Sequence, residues 1–200
     1  MSSYPVNLSV APDEGQNRLW GIPFLGIFVR WILVIPHAII LFFVVIGLYV
    51  FALVSWIPIL VNGRQAGWGY SLVGGYLRLT SRVSLYALLA TGAYPPFGLS
   101  GHHPVSLTLE EGEAQNRLWG IPFFGIFARW ILLIPHAIVL MFLGLGAGLL
   151  ALVTWIPVLL GGRQAPAVVN FLAGVYRWGA RVMAYGLLVT GKYPPFSFSD

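Results

Sequence analysis

Residues 18–38 read RLWGIPFLGIFVRWILVIPHA, and residues 117–137 read RLWGIPFFGIFARWILLIPHA. Two arginines frame an apolar block in each, at a constant offset of 99 residues. Working outward, the correspondence runs without a gap from Pro5 to Phe97 and from Pro104 to Phe196. PVNLSV at the start matches PVSLTL, and Tyr94-Pro-Pro-Phe97 matches Tyr193-Pro-Pro-Phe196. Every arginine has a counterpart: Arg18 with Arg117, Arg30 with Arg129, Arg64 with Arg163, Arg78 with Arg177, and Arg82 with Arg181; Lys192 has none. Such fidelity over a period this long marks a tandem duplication of one structural unit. The junction near LSGHHP divides the chain into residues 1–99 and 100–200.

Composition places both units in lipid. The apolar fraction is 58%, the charged fraction 8% and the mean hydropathy +0.82, whereas a soluble domain carries about a quarter charged residues. Residues 31–61 and 130–160 hold no formal charge, and each run exceeds the ~20 apolar residues that cross a bilayer. The opening MSSYPVNLSVAPDEG lacks the basic and apolar regions of a cleavable signal. Cysteine is absent, which removes disulfides, thiolate metal sites and cysteine nucleophiles.

Each unit reads as four parts. Val6, Leu8 and Val10 alternate with Asn7 and Ser9 after a proline, which predicts a short strand over residues 5–10 and again over 104–109. A proline-broken aromatic stretch, LWGIPFLGIFVR, suits a membrane interface. The long apolar run follows. A last segment from Gln65 to Thr91 precedes GAYPPF, where glycine and paired prolines are expected to end a helix. The chain resembles the DUF4389 domain family of bacterial membrane proteins. The residues that carry the resemblance are Arg30-Trp31, Ile35-Pro36-His37, Gly63-Arg64, the run from Gly174 to Tyr185, and Tyr193-Pro-Pro-Phe196. The first copy has Leu79 where the family pattern and the second copy have tryptophan, Trp178. The resemblance implies a bacterial membrane location and supplies no activity.

Three arrangements in the bilayer follow from the pattern. If each run spans once and the arginine segment lies flat, the two copies point in opposite directions, against their matching arginines. If the 65–91 segment spans back, four arginines sit near mid-membrane at about 2.5–3.5 kcal/mol each. If each run folds back on itself near Ile46 and Leu145, where glycines cluster, all basic residues emerge on one side. That hairpin arrangement is the expectation: an all-α integral membrane protein, duplicated, each unit pairing an apolar helical hairpin with an amphipathic interfacial helix after a short strand. Ser71, Gly75, Arg78 and Arg82 form one stripe of that helix, and its apolar remainder is expected to sink into lipid.

Arg18, Arg30, Arg64, Arg78, Arg82, Arg117, Arg129, Arg163, Arg177 and Arg181 are the candidate ligands for anionic headgroups, consistent with a net charge of +5. The competing role is structural, with guanidinium groups bonding carbonyls of the repeat. His37 and His136 follow a proline in apolar sequence and read as histidines bonded to a carbonyl or headgroup rather than metal ligands. His102 and His103 read as a solvent-facing turn, and Gly144, Gly146 and Gly148 as a turn or as close helix packing. The six acids (Asp13, Glu14, Glu110, Glu111, Glu113, Asp200) all lie outside the apolar runs. The sequence therefore predicts no enzyme, no cofactor and no nucleic-acid partner. The expected function is a membrane-embedded scaffold that self-assembles through its strands and helices and curves the bilayer, with basic residues on the cytoplasmic side of the bacterial membrane. The alternatives are a four-helix transport or anion-channel subunit and an accessory subunit of a larger complex.

Overall fold

The computed structural model describes residues 4–11 and 15–199; Asp13, Glu14 and Asp200 lie outside the described residues. The protein is mostly helical, with two short strands. The first copy contributes β1 (Val6–Val10), a 3₁₀ turn (Arg18–Gly21), α1 (Leu25–Leu33), α2 (Ile35–Val54), α3 (Trp56–Asn62) and α4 (Gly67–Ala87). The second repeats them as β2 (Val105–Leu109), a 3₁₀ turn (Arg117–Gly120), α5 (Phe124–Leu132), α6 (Ile134–Ala151), α7 (Trp155–Gly161) and α8 (Pro166–Gly186).

Prolines set the helix boundaries in the apolar runs. Pro36 has no N–H to offer the carbonyl of Ile32, so α1 stops and α2 begins beside it, and Pro58 does the same to Val54. The glycines do not break the helices. α2 passes straight through Ile46 and Gly47, and α6 through Gly144, Leu145, Gly146 and Gly148. The expected hairpin is therefore absent from both runs. A glycine inside a helix costs about 1 kcal/mol, less than the several kcal/mol for each amide a turn leaves unpaired in an apolar setting. Nor do these glycines mediate close packing: at Gly144 and Gly148 a Cβ would meet nothing within 4 Å.

The helix over 65–91 also differs from expectation. α4 and α8 form the buried centre rather than an interfacial layer, with Val73, Leu79 and Leu85 of α4 and Leu172 and Ala184 of α8 fully buried. The arginine stripe faces inward to the strands and the interrepeat linker. Each helix stops before the expected glycine and prolines. The Ala90 N–H bonds the Leu85 carbonyl across Leu89, which takes φ 61°, and Leu188 repeats this geometry. A non-glycine residue there is strained; Leu89 and Leu188 are wholly buried, which offsets it.

The strands pair with each other, antiparallel and centred on Leu8 opposite Leu107. Because those two residues are equivalent in the repeat, a pseudo-twofold axis passes through this pair, perpendicular to the sheet. The arms of the two copies are exchanged across it. β1 packs on α8 and β2 on α4, while each 3₁₀ turn packs on α7 or α3 of the other copy. Gly21 and Gly120 allow the latter contact, since a Cβ on either would overlap the backbone of Leu159 or Leu60. The sequence boundary near residue 99 is thus no boundary in space.

Helix directions follow from the contacts. The Leu89 carbonyl at the end of α4 accepts from Gln164, which precedes α8, and the Leu188 carbonyl accepts from Gln65, which precedes α4. α4 and α8 are therefore antiparallel. Within the first copy, Phe51 meets Trp68 while His37 meets Tyr94 and Phe97, so α2 is antiparallel to α4. It follows that α2 and α6 run in opposite directions. Both are long and apolar enough to cross a membrane, and they expose Phe42, Phe43, Ile46, Met141, Phe142 and Leu145.

Candidate functional site

The ten arginines separate into three groups by burial: four buried, two half-buried and four exposed. Arg30, Arg129 and Arg181 are wholly buried, and Arg82 nearly so. Arg30 Nη1 donates to the carbonyls of Tyr86 (2.8 Å) and Thr91 (2.7 Å), and Nη2 donates to Gln16 Oε1 (2.7 Å). Its guanidinium lies between the rings of Trp20 and Tyr86, 5.0 and 4.3 Å from their centroids. Arg129 repeats this with Tyr185, Thr190 and Gln115, between Trp119 and Tyr185. Burial lowers the Arg129 pKa to about 10, which leaves it charged at neutral pH. These clamps tie α1 to the end of α4, and α5 to the end of α8. The glutamines then join the copies: Gln16 and Gln164 both donate to the Leu89 carbonyl, and Gln65 and Gln115 both donate to that of Leu188.

The second buried pair closes the sheet. Arg82 donates to Val105, Ser100 and Gly101, and Arg181 to Val6 and Ser199. Half-buried Arg78 donates to Leu99, and Arg177 to Leu8 and Phe198. Carbonyls that would template another strand are thereby occupied. Strand pairing is satisfied within one chain. For Arg30, Arg82, Arg129 and Arg181 the structural role is the one observed, because buried guanidinium groups held by carbonyls do not reach a headgroup.

Arg18, Arg64, Arg117 and Arg163 are exposed. Arm exchange assembles them in twos: Arg117 lies over Gly63, next to Arg64, and Arg18 over Gly162, next to Arg163. Around them Leu19, Val61, Leu118 and Leu160 are among the most exposed apolar residues. Each pair abuts a cleft at the start of a central helix. One, about 450 Å³, is lined by Arg64, Gly67, Tyr70 and Glu111, and the other, about 320 Å³, by Arg163, Pro166, Val169 and Asn170. The Tyr70 hydroxyl is buried: the backbone N–H groups of Gly112 and Glu113 approach its oxygen, but its proton has no acceptor. Burial, the larger effect, pushes its pKa up, so it stays an O–H donor. Sequence reasoning did not single out Tyr70. Its hydroxyl appears at the cleft only once α4 is known to begin at Gly67.

The histidines bond within the protein. His37 Nε2 meets the Pro95 carbonyl at 2.9 Å, and His136 Nδ1 accepts from Trp178 Nε1 at 2.9 Å. His102 is exposed as expected, but His103 is buried, and its Nδ1 accepts from the N–H of Val105.

The family described as a domain of unknown function, DUF4389, matches residues 25–98 and again residues 125–197. The chain belongs to the DUF4389 family. Each DUF4389 match begins in α1 or α5 and ends just past the Tyr-Pro-Pro-Phe loop, so it takes in Arg30 or Arg129 and its two carbonyl acceptors but not the glutamine, the exchanged strand or the 3₁₀ turn. No curated protein and no solved structure matches the chain.

Proposed function

We propose that this DUF4389 protein is a non-enzymatic scaffold embedded in one leaflet of a bacterial membrane, where it binds lipid headgroups and curves the bilayer. The observation that carries this reading is the direction of the pseudo-twofold axis. The axis runs perpendicular to the sheet and to the antiparallel pair α4 and α8. If α2 and α6 crossed the membrane, the axis would lie in the membrane plane. The sheet would then sit at mid-depth, with the exposed hydroxyls of Ser9, Ser106 and Thr108 turned toward hydrocarbon, where polar side chains are costly to place. The equivalent arginine pairs would also face opposite compartments, against the bias of basic residues toward the cytoplasm.

With the axis along the membrane normal, both conflicts vanish. The sheet faces water and both arginine pairs lie at one depth. The apolar helices lie flat, about 30 Å long, and displace area in one leaflet only. A wedge of that kind bends a bilayer, and the two rigidly interlocked copies give the bend a fixed axis. The buried arginines are held by backbone carbonyls, which argues against an arginine-lined anion path.

The test exploits the absence of native cysteine. Ser71→Cys and Asn170→Cys mark equivalent exposed positions at the starts of α4 and α8. In sealed vesicles, an impermeant maleimide should label both from the same side, and electron microscopy should show tubes or small vesicles at high protein density. Labelling from opposite sides would establish the spanning orientation and sink the proposal, as would round, unchanged vesicles.

A further inference from the structure

The cleft beside Arg64 holds more than a positive charge. It lies where the apolar stretch Ile35–Asn62 ends, next to exposed Val61 and Trp68, the depth at which a headgroup meets the protein in the proposed placement. Four features converge there. Arg64 is exposed at its rim, with Arg117 across Gly63. The 21-residue helix α4 starts at Gly67 with no side chain capping it, so its first N–H groups and its dipole are offered to an anion. Tyr70, 3% exposed, lines the cleft; the Gly112 and Glu113 amides approach its oxygen and leave its O–H proton without an acceptor. Glu111 supplies a carboxylate to the same cleft.

We propose that this cleft binds a phosphate ester bearing a primary ammonium group, the headgroup chemistry of phosphatidylethanolamine. The phosphate is held by Arg64, the Tyr70 hydroxyl and the start of α4, and the ammonium by Glu111. This rests on the headgroup-binding reading above and narrows it to one site and one class of lipid.

The equivalent cleft is the internal control. There Pro166 occupies the position of Gly67 and has no N–H, and Val169 occupies that of Tyr70 and has no hydroxyl. Arg163 remains. Two of the three phosphate donors are thus absent from the second copy while the helix is intact, so the fold accepts both replacements.

The experiment copies the second site onto the first. Full-length protein is delipidated in nonionic detergent and titrated with phosphatidylethanolamine, phosphatidylglycerol or soluble O-phosphoethanolamine. Adducts are counted by native mass spectrometry, with melting temperature as the check on folding. Wild-type protein should show one preferred phosphatidylethanolamine adduct. Gly67→Pro with Tyr70→Val should weaken it about a hundredfold, the scale of losing two hydrogen bonds to a charged group. Tyr70→Phe, which removes the hydroxyl alone, carries the test if the double variant does not fold. Glu111→Gln should abolish the preference over phosphatidylglycerol.

Displacement by O-phosphoethanolamine at concentrations similar to the lipid's supports the site and assigns its source as a soluble ester. Unchanged phosphatidylethanolamine affinity in the folded variants overturns the inference alone, as does equal wild-type binding of the two lipids. If the wild-type protein binds no phospholipid at all, the headgroup-binding reading falls with it.

Discussion

At Arg30 and Arg129 the two copies agree bond for bond: the same two carbonyls, the same glutamine oxygen and the same pair of rings. At three other equivalent places they part. Gly67 and Tyr70 face Pro166 and Val169, Leu79 faces Trp178, and Tyr4 faces His103. The difference follows from what each position closes. A clamp joins a carbonyl at a helix end, a loop carbonyl and a glutamine oxygen through one guanidinium, and each half of the interlocked fold needs its own. The diverged positions sit at a cleft, beside a histidine or at a strand's entry. A change there alters the lining of a cleft or one hydrogen bond and leaves the interlock whole. Duplication thereby yields one rigid body with two unlike clefts.

The comparison breaks most visibly at the clamps. Arg30→Met and Arg129→Met each remove the donors to two buried carbonyls and a buried glutamine oxygen. Each should lower stability by about 3–5 kcal/mol, the cost of breaking a buried charged network. The two losses should agree within about 1 kcal/mol in denaturation of the detergent-solubilised protein, a margin set by ordinary context dependence. Losses that differ by several kcal/mol would mean that one clamp alone holds the fold.

A smaller effect is expected where the copies already differ. Trp178 is buried, donates to His136 Nδ1 and packs against Phe196. Trp178→Leu turns the second copy into the first at this point. It should cost about 2 kcal/mol, through lost aromatic burial and a histidine nitrogen left without its donor. A melting temperature unchanged by the substitution would show that the indole adds nothing beyond the leucine that serves at Leu79.

Much of this organisation was legible in the sequence. The repeat, the two strands and the apolar runs followed from identity, alternation and composition, and the equivalence of Leu8 and Leu107 was already implicit in the offset. The roles of the arginines were not legible, because arm exchange depends on contacts about a hundred residues apart that no local pattern encodes. Arg82 reads as the polar stripe of an amphipathic helix until β2 of the other copy is laid across α4. The glycines misled for a related reason. Gly47 and Gly144 offer flexibility, but the apolar setting penalises the open amides that a turn requires, and it is Pro36 and Pro58, with their counterparts Pro135 and Pro157, that remove a helix donor outright.

The subtlest difference between the copies concerns pH. Tyr4 and His103 occupy equivalent positions and reach equivalent carbonyls: the Tyr4 hydroxyl donates to Lys192, and His103 Nε2 meets Ala93. Only the histidine titrates near neutrality. Its Nδ1 accepts from the Val105 N–H at 3.0 Å, so the neutral ring holds the start of β2, and protonation there deletes the acceptor. Burial lowers the His103 pKa, with Arg82 and His102 adding to the effect. Because the folded value lies below the unfolded one of about 6.5, acid binds preferentially to the unfolded chain. Stability from this group is complete above about pH 6.5 and is lost as pH falls from there through the folded pKa. Thermal melts should therefore be flat from pH 8 to about 6.5 and then decline, and His103→Tyr, which installs the residue used at Tyr4, should remove the part of the decline that His103 causes. A decline of the same size in the tyrosine variant would transfer the pH dependence to another group and leave the two strand entries equivalent.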